Sequence, residues 1–209
     1  MLTRLRPMGS ASETRPAGER SERPLQGWRS LLLWLAVALL LRWVVVEPRW
    51  IPSGSMLSTL QLQDRILVEK VRPRLGQPLP LGAIVVFRAP PALVEAGYDP
   101  KAALIKRVVG EAGDRVEVRD GRLWRNGVAV AEPWLAEPID YRFGPVTVPA
   151  GHLMVLGDNR NASFDSHLWG PLPEGDVIGT AVLRYWPLNR LGAIRFSTPE
   201  GLDRPEQLG

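Results

Sequence analysis

Residues 114–130 read DRVEVRDGRLWRNGVAV. Val116 and Val118 alternate with charged residues, the two-residue period of a half-buried strand. Asp120-Gly121 and Asn126-Gly127 break that pattern with dipeptides that accept the positive φ angles of a tight hairpin turn. The stretch is a small antiparallel meander. Similar runs lie on both sides: LQDRILVEKV (62–71), GAIVVFRA (82–89), ALIKRVVG (103–110), VAVAEPWL (128–135), HLMVLGDN (152–159) and VIGTAVLRYW (177–186). Each is rich in β-branched residues and bounded by Gly, Pro, Asp or Asn. No long helical period follows residue 47. The expected fold is mainly β, with antiparallel sheets curled on one another into a compact domain.

Upstream the pattern changes. Residues 28–46, WRSLLLWLAVALLLRWVVV, are apolar on every face. As a helix, these 19 residues extend about 28 Å, close to the thickness of a bilayer's hydrocarbon core. Trp28, Trp43 and Trp50 suit an interfacial belt, and Arg42 lies near enough to the end to snorkel. A cleaved leader has a shorter apolar core and a small-residue cleavage site, and EPRWIP offers none. The segment is read as one transmembrane anchor. Six arginines precede residue 30 (Arg4, Arg6, Arg15, Arg20, Arg23, Arg29). They keep the N-terminus cytoplasmic and the rest of the chain outside. The expected organisation is a disordered tail at 1–27, the anchor at 28–46, an extracytoplasmic β domain at 47–190 and a C-terminal tail at 191–209.

Composition removes several chemistries. With no cysteine among 209 residues, there is no thiol nucleophile, disulfide frame or thiolate metal site. Two histidines, His152 and His167, make a histidine-rich metal centre a poor expectation. The net charge of +4 is read as membrane topology rather than nucleic-acid binding. Only Lys70, Lys101 and Lys106 are lysines among 26 basic residues. A desolvated lysine can lose its proton, whereas arginine cannot.

Three clusters carry chemistry. Ile51-Pro52-Ser53-Gly54-Ser55-Met56-Leu57-Ser58-Thr59-Leu60 follows the anchor. There Gly54 allows a turn that presents a hydroxyl and an amide to one point. Alone, it reads equally as a polar linker. Ala103–Gly110 places Lys106 among strand-forming apolar residues, where burial can lower an amine pKa by a few units. Gly157–Gly170 follows the apolar run HLMVL and is a loop dense in Asp, Asn, Ser and Arg. It lacks the spacing of a calcium loop. His167 and Asp165 could belong to a Ser–His–Asp triad, but triad members usually come from distant segments.

Together the clusters resemble type I signal peptidases. That family has an SGSM box after its anchor, a KR box on a strand and a GDNRxxSxDS box near the end of the core. All three occur here in that order. Asp64–Lys70 resembles the remaining box, and the match covers most of residues 42–187. The wording NRNxSxDSHxWGPLP is most similar to the cyanobacterial and thylakoid branch.

The resemblance implies a membrane-bound serine endopeptidase that removes signal peptides from exported preproteins, cutting after small residues at −1 and −3. Ser55 is the implied nucleophile and Lys106 the general base. The Ser55 amide and the Ser53 hydroxyl form the implied oxyanion hole. Ser163 orients Lys106 by a hydrogen bond, Arg107 pairs with Asp158, and Asp165 braces the loop. Ile51, Met56, Leu60, Ile105 and Val155 line shallow substrate pockets. The implied partners are preproteins and the lipid bilayer, without nucleic acid, metal or other cofactor. The location is the plasma membrane, with the thylakoid membrane as an alternative. Gln63 replaces a frequent glycine, Ala162 a polar residue and His167 a frequent arginine. The competing readings are a self-cleaving Ser–Lys repressor, which lacks an anchor, and a membrane-tethered β module without activity.

Overall fold

The computed structural model describes residues 24–196. It divides into two compact units, one ending at Ala38 and one beginning at Leu39. Helix α1 (Pro24–Val44) crosses that division in sequence. Its leucines are largely exposed, Leu31 at 59% and Leu33 at 63%.

Among the described residues no helix is long and apolar enough to cross a membrane. The expected span at 28–46 covers most of α1 and runs two residues past its end. The helix stops at Val44, and Val46 already starts a strand. The expected disordered tail also ends earlier: residues 24–27 belong to α1, and residues 1–23 lie outside the described part.

The second unit is built on an eight-stranded antiparallel sheet. Its strands are β1 (Val46–Trp50), β2 (Arg65–Glu69), β3 (Ile84–Arg88) and β4 (Ala103–Gly110). A four-stranded sheet follows: β5 (Arg115–Arg119), β6 (Arg122–Arg125), β7 (Val128–Ala129) and β8 (Phe143–Thr147). The chain then returns to the large sheet with β9 (His152–Leu156), β10 (Leu172–Pro173), β11 (Val177–Trp186) and β12 (Gly192–Ala193). The orders are β1-β2-β11-β3-β4-β9-β10, with β12 on β11, and β7-β6-β5-β8. Three short helices, α2 (Val71–Arg74), α3 (Pro91–Glu95) and α4 (Ser166–Trp169), sit in the connections.

The meander forms where the valine alternation puts it. Asp120 and Gly121 take φ of 52° and 74°, Asn126 and Gly127 take 52° and 81°, the left-handed pair a type I′ turn requires. The large sheet is covered on both faces, so β3 reads as a continuous apolar run. Ile84 and Val86 join Ile66, Val68, Ile105 and Ala181 on one face. Val85 and Phe87 join Val108, Leu153 and Val155 on the other. Register shifts in β11 at Ala181/Leu183 and Arg184/Trp186 bend the sheet, as bulges do.

The expected boundary at residue 190 is also corrected. β12 pairs with β11, Ile194 N–H donates to the Val182 carbonyl, and Phe196 packs on the core. The β domain therefore continues through the end of the described residues.

One edge matters for the site. β4 pairs with β3 from Ala103 to Arg107, but with β9 only from Arg107 onward. Among the described residues, no strand covers the other side of Ala103–Lys106. That leaves backbone donors and acceptors available to an extended chain.

Candidate active site

The segment from Ile51 to Asp64 is a loop closed at its base. Ile51 N–H donates to the Asp64 carbonyl at 2.9 Å and Gln63 N–H to the Ile51 carbonyl at 2.8 Å. Ile51, Met56 and Leu60 insert into the core and hold the loop down. Buried Asp64 stabilises it further. It accepts from Gln61 N–H at 2.8 Å and pairs with Arg190 at 2.8 Å. Arg184 donates to the Thr59 carbonyl at 3.0 Å.

Gln63 occupies the left-handed region at φ 66°. A side chain in this region costs about 1–2 kcal/mol, partly offset by the entropy a glycine would lose. Gln63→Gly should therefore raise stability by about 0.5–1 kcal/mol, read as a higher midpoint in thermal unfolding. A lower midpoint would refute the strain.

Ser55 is at the tip of this loop. Its Oγ lies 2.7 Å from Lys106 Nζ, although the two residues are 51 positions apart. Lys106 is only 5% exposed. Burial lowers its pKa from 10.5 to about 8, while Asp165 and Asp158 act in the opposite direction. Near pH 7, about a tenth of the amine is then neutral, several hundred times the fraction of an ordinary lysine. The Ser53 hydroxyl stands 3.4 Å from Ser55 Oγ. The Ser55 backbone N–H donates to no group among the described residues. The Ser55 and Ser53 hydroxyls, the Ser55 N–H and a buried amine with a lowered pKa thus lie together.

The loop after β9 clamps this arrangement. Asn159 N–H donates to the Ser55 carbonyl at 3.0 Å, and its side-chain amide donates to the Gly54 carbonyl at 3.1 Å. Arg107 and Asp158 form a buried two-point pair at 2.7 and 2.6 Å. Arg107 also donates to the Gly82 carbonyl and Thr59 Oγ1 and stacks over Trp134. Removing one partner of such a pair strands a buried charge, at about 3–5 kcal/mol. Asp165 accepts from Gly157 N–H at 2.8 Å and contacts His167 Nδ1 at 2.7 Å. The His167 ring stacks on Tyr141 at 4.2 Å and makes no hydrogen bond to Ser55. The triad alternative therefore has no geometric support.

Two expectations need correction. Ser163 comes to the site, but its Oγ is buried and hydrogen-bonds to nothing. It faces Gly157, where an added Cβ would lie 2.2 Å from it, while Lys106 Nζ engages Ser55 instead. Of the expected pocket residues, Ile51, Met56, Leu60 and Ile105 share one core cluster, but Val155 belongs to the neighbouring one. Met56 and Leu60 are wholly buried and support the loop rather than line an open surface. Ala162 is simply exposed.

Sequence reading missed the buried Arg160–Glu132 pair, with contacts of 2.9 and 2.5 Å. Arg160 also donates to the Gly157 carbonyl within its own loop at 2.9 Å, so the pair with Glu132 ties the loop after β9 to the segment after β7. Glu132 had no local signal, because its partner is 28 positions away.

The family model for signal peptidase, peptidase S26, matches residues 25–186. The chain belongs to that family. Signal peptidase I of Leptolyngbya laminosa is 42% identical over 87% of this chain and 92% of its own length. Probable signal peptidase I-1 of Synechocystis sp. is 46% identical over 78% of this chain and 83% of its own. Probable thylakoidal processing peptidase 2 of Arabidopsis thaliana is 50% identical over 77% of this chain, which spans only 43% of that longer protein. Signal-peptide removal by a serine protease of the S26 family is the activity that membership carries.

Proposed function

We propose that this signal peptidase works through a Ser55–Lys106 dyad and cuts exported preproteins after small residues at −1 and −3. The observation that carries this reading is the 2.7 Å contact between Ser55 Oγ and a buried Lys106 with its pKa lowered to about 8. Neutral Lys106 takes the Ser55 proton as Oγ attacks the scissile carbonyl, then delivers it to the leaving amine. The Ser55 N–H and the Ser53 hydroxyl donate to the developing oxyanion, where one such donor is worth about 3–4 kcal/mol. The acyl-enzyme is hydrolysed by water with Lys106 again as base.

The substrate lies extended along the open side of Ala103–Lys106 and adds a strand to β4. Ile51 and Ile105 present little surface there, so only small side chains fit without overpacking. Helix α1, with its exposed leucines, together with the residues flanking it, anchors the enzyme in the bilayer beside its substrates. The arginine-rich N-terminus stays cytoplasmic and the β domain lies outside. That arrangement raises the effective concentration of signal peptides.

A preprotein carrying Ala-x-Ala before its junction tests this reading in detergent or vesicles. Cleavage after the second alanine, lost when leucine replaces that alanine, is the expected result. Equal cutting of both substrates would refute the small-residue pocket. The pH profile is a separate check. The base must be unprotonated, so kcat/KM rises about tenfold per pH unit below about 8 and levels off above it. A flat profile between pH 6 and 9 would remove Lys106 from the base role.

A further inference from the structure

The open edge of β4 does not end at Ala103. Ala102 N–H donates to the Asp99 carbonyl at 2.8 Å, and Lys101 N–H donates to Asp99 Oδ1 at 2.8 Å. This closes a turn over 99–102 that folds Tyr98 back toward the start of β4. There Tyr98 stacks on Phe164, with ring centroids 5.8 Å apart and planes inclined by 10°. Phe164 lies between Ser163 and Asp165 on the catalytic loop. Those neighbours are buried beside the dyad, whereas Phe164 is 42% exposed and Tyr98 38%. The chain is extended at Ser163, so Phe164 projects away from the faces that Ser163 and Asp165 turn inward.

The ring pair therefore joins two elements of the site, the lead-in to β4 and the loop that clamps Ser55. Each ring leaves more than a third of its surface exposed, available to an apolar side chain passing this edge. Along an extended substrate, Ala103 lies about 10 Å from Lys106, roughly three residues. A ring pair at the start of β4 therefore meets substrate about four to six residues from the cut bond. A substrate oriented with its N-terminal side toward Ala103 brings the end of its apolar segment, which precedes the cleavage site, to the ring pair.

We infer that Tyr98 and Phe164 form an apolar subsite for the substrate side chains at about −5 and −6. It reads the boundary between the hydrophobic segment and the cleavage region, and so helps to place the cut. The inference rests on the proposed peptidase reading and on substrate pairing along β4.

Two preproteins, both with alanine at −1 and −3 but with either leucine or serine at −5 and −6, provide the test. The wild-type enzyme is expected to favour the leucine substrate by about tenfold in kcat/KM. Tyr98→Ala and Phe164→Ala should lower kcat/KM for the leucine substrate by about five- to tenfold and leave the serine substrate unchanged. Phe164→Leu, which retains an apolar surface, should recover most of the preference. Thermal unfolding of each variant separates loss of preference from loss of fold. An equal fall on both substrates in folded protein, or unchanged preference in the Tyr98→Ala, Phe164→Ala double variant, would overturn the subsite. Continued cutting by Ser55→Ala would instead overturn the peptidase reading beneath it.

Discussion

Lys106→Met is expected to lower cleavage of an Ala-x-Ala preprotein by at least about a thousandfold while making the folded protein more stable. Methionine fills a similar volume without charge or basic nitrogen. The loss of activity follows because Ser55 has no other base among the described residues: its Oγ contacts Lys106 Nζ and the Ser53 hydroxyl, while His167 is held by Asp165 and Tyr141. A general base contributes about 10²–10⁴-fold, and removing one member of a nucleophile–base unit disables both.

The gain in stability has a separate origin. A lysine whose pKa falls on folding binds its proton more weakly in the native state. It destabilises the fold fully below the folded pKa of about 8, and that cost fades as pH rises toward 10.5. The penalty near pH 7 is on the order of 3 kcal/mol. Removing the amine should raise the melting midpoint by several degrees at pH 7, with a smaller gain at pH 10. Near-normal cleavage by folded Lys106→Met would exclude a lysine base. A fall in stability would show that the amine contributes more through its contacts than burial costs it.

Gly157→Ala should be nearly as damaging without touching a reacting atom. A Cβ at this position would lie 2.6 Å from the Ser55 carbonyl oxygen and 2.2 Å from Ser163 Oγ. The serine hydroxyl could rotate away, but the Ser55 carbonyl is backbone. It is also held by Asn159 N–H at 3.0 Å, so relief requires the two loops to part. A displacement of about 1 Å at a reacting group costs on the order of 100-fold in rate, and overpacking adds about 1–3 kcal/mol of destabilisation. Steady-state kinetics should show kcat falling about 100-fold or more in protein that still unfolds cooperatively. Wild-type kcat would mean that the loops are not rigidly apposed.

The sequence carried most of the strands because their signals are local. Val116 and Val118 alternate, and Asp120-Gly121 and Asn126-Gly127 name their turns. β8 was missed because FGPVT holds a glycine and a proline, which depress any strand reading. The C-terminal extension was missed because β12 is two residues long and gains its order from β11 rather than from its own composition.

At the site, Ser55, Lys106, Arg107, Asp158 and Asp165 were legible through the family boxes. What those boxes did not convey is side-chain direction. The expected link from Ser163 to Lys106 depends on one rotamer, and the absence of Met56 and Leu60 from any open pocket depends on how deeply their loop is seated. The Glu132–Arg160 and Asp64–Arg190 pairs join segments far apart in the chain, which no period can reveal. Gln63 shows the reverse case: the missing glycine marked a backbone position whose strain became visible only in φ.

With only Lys70, Lys101 and Lys106 in the chain, the lysine side chains can be titrated individually by nuclear magnetic resonance on lysine-labelled protein. The Lys106→Met variant assigns the decisive signal. The signal lost in this variant is expected to titrate near pH 8 in the Ser55→Ala protein, which cannot turn over substrate. A Lys106 midpoint near 10.5, the ordinary value for a solvated lysine, would contradict a neutral-lysine base.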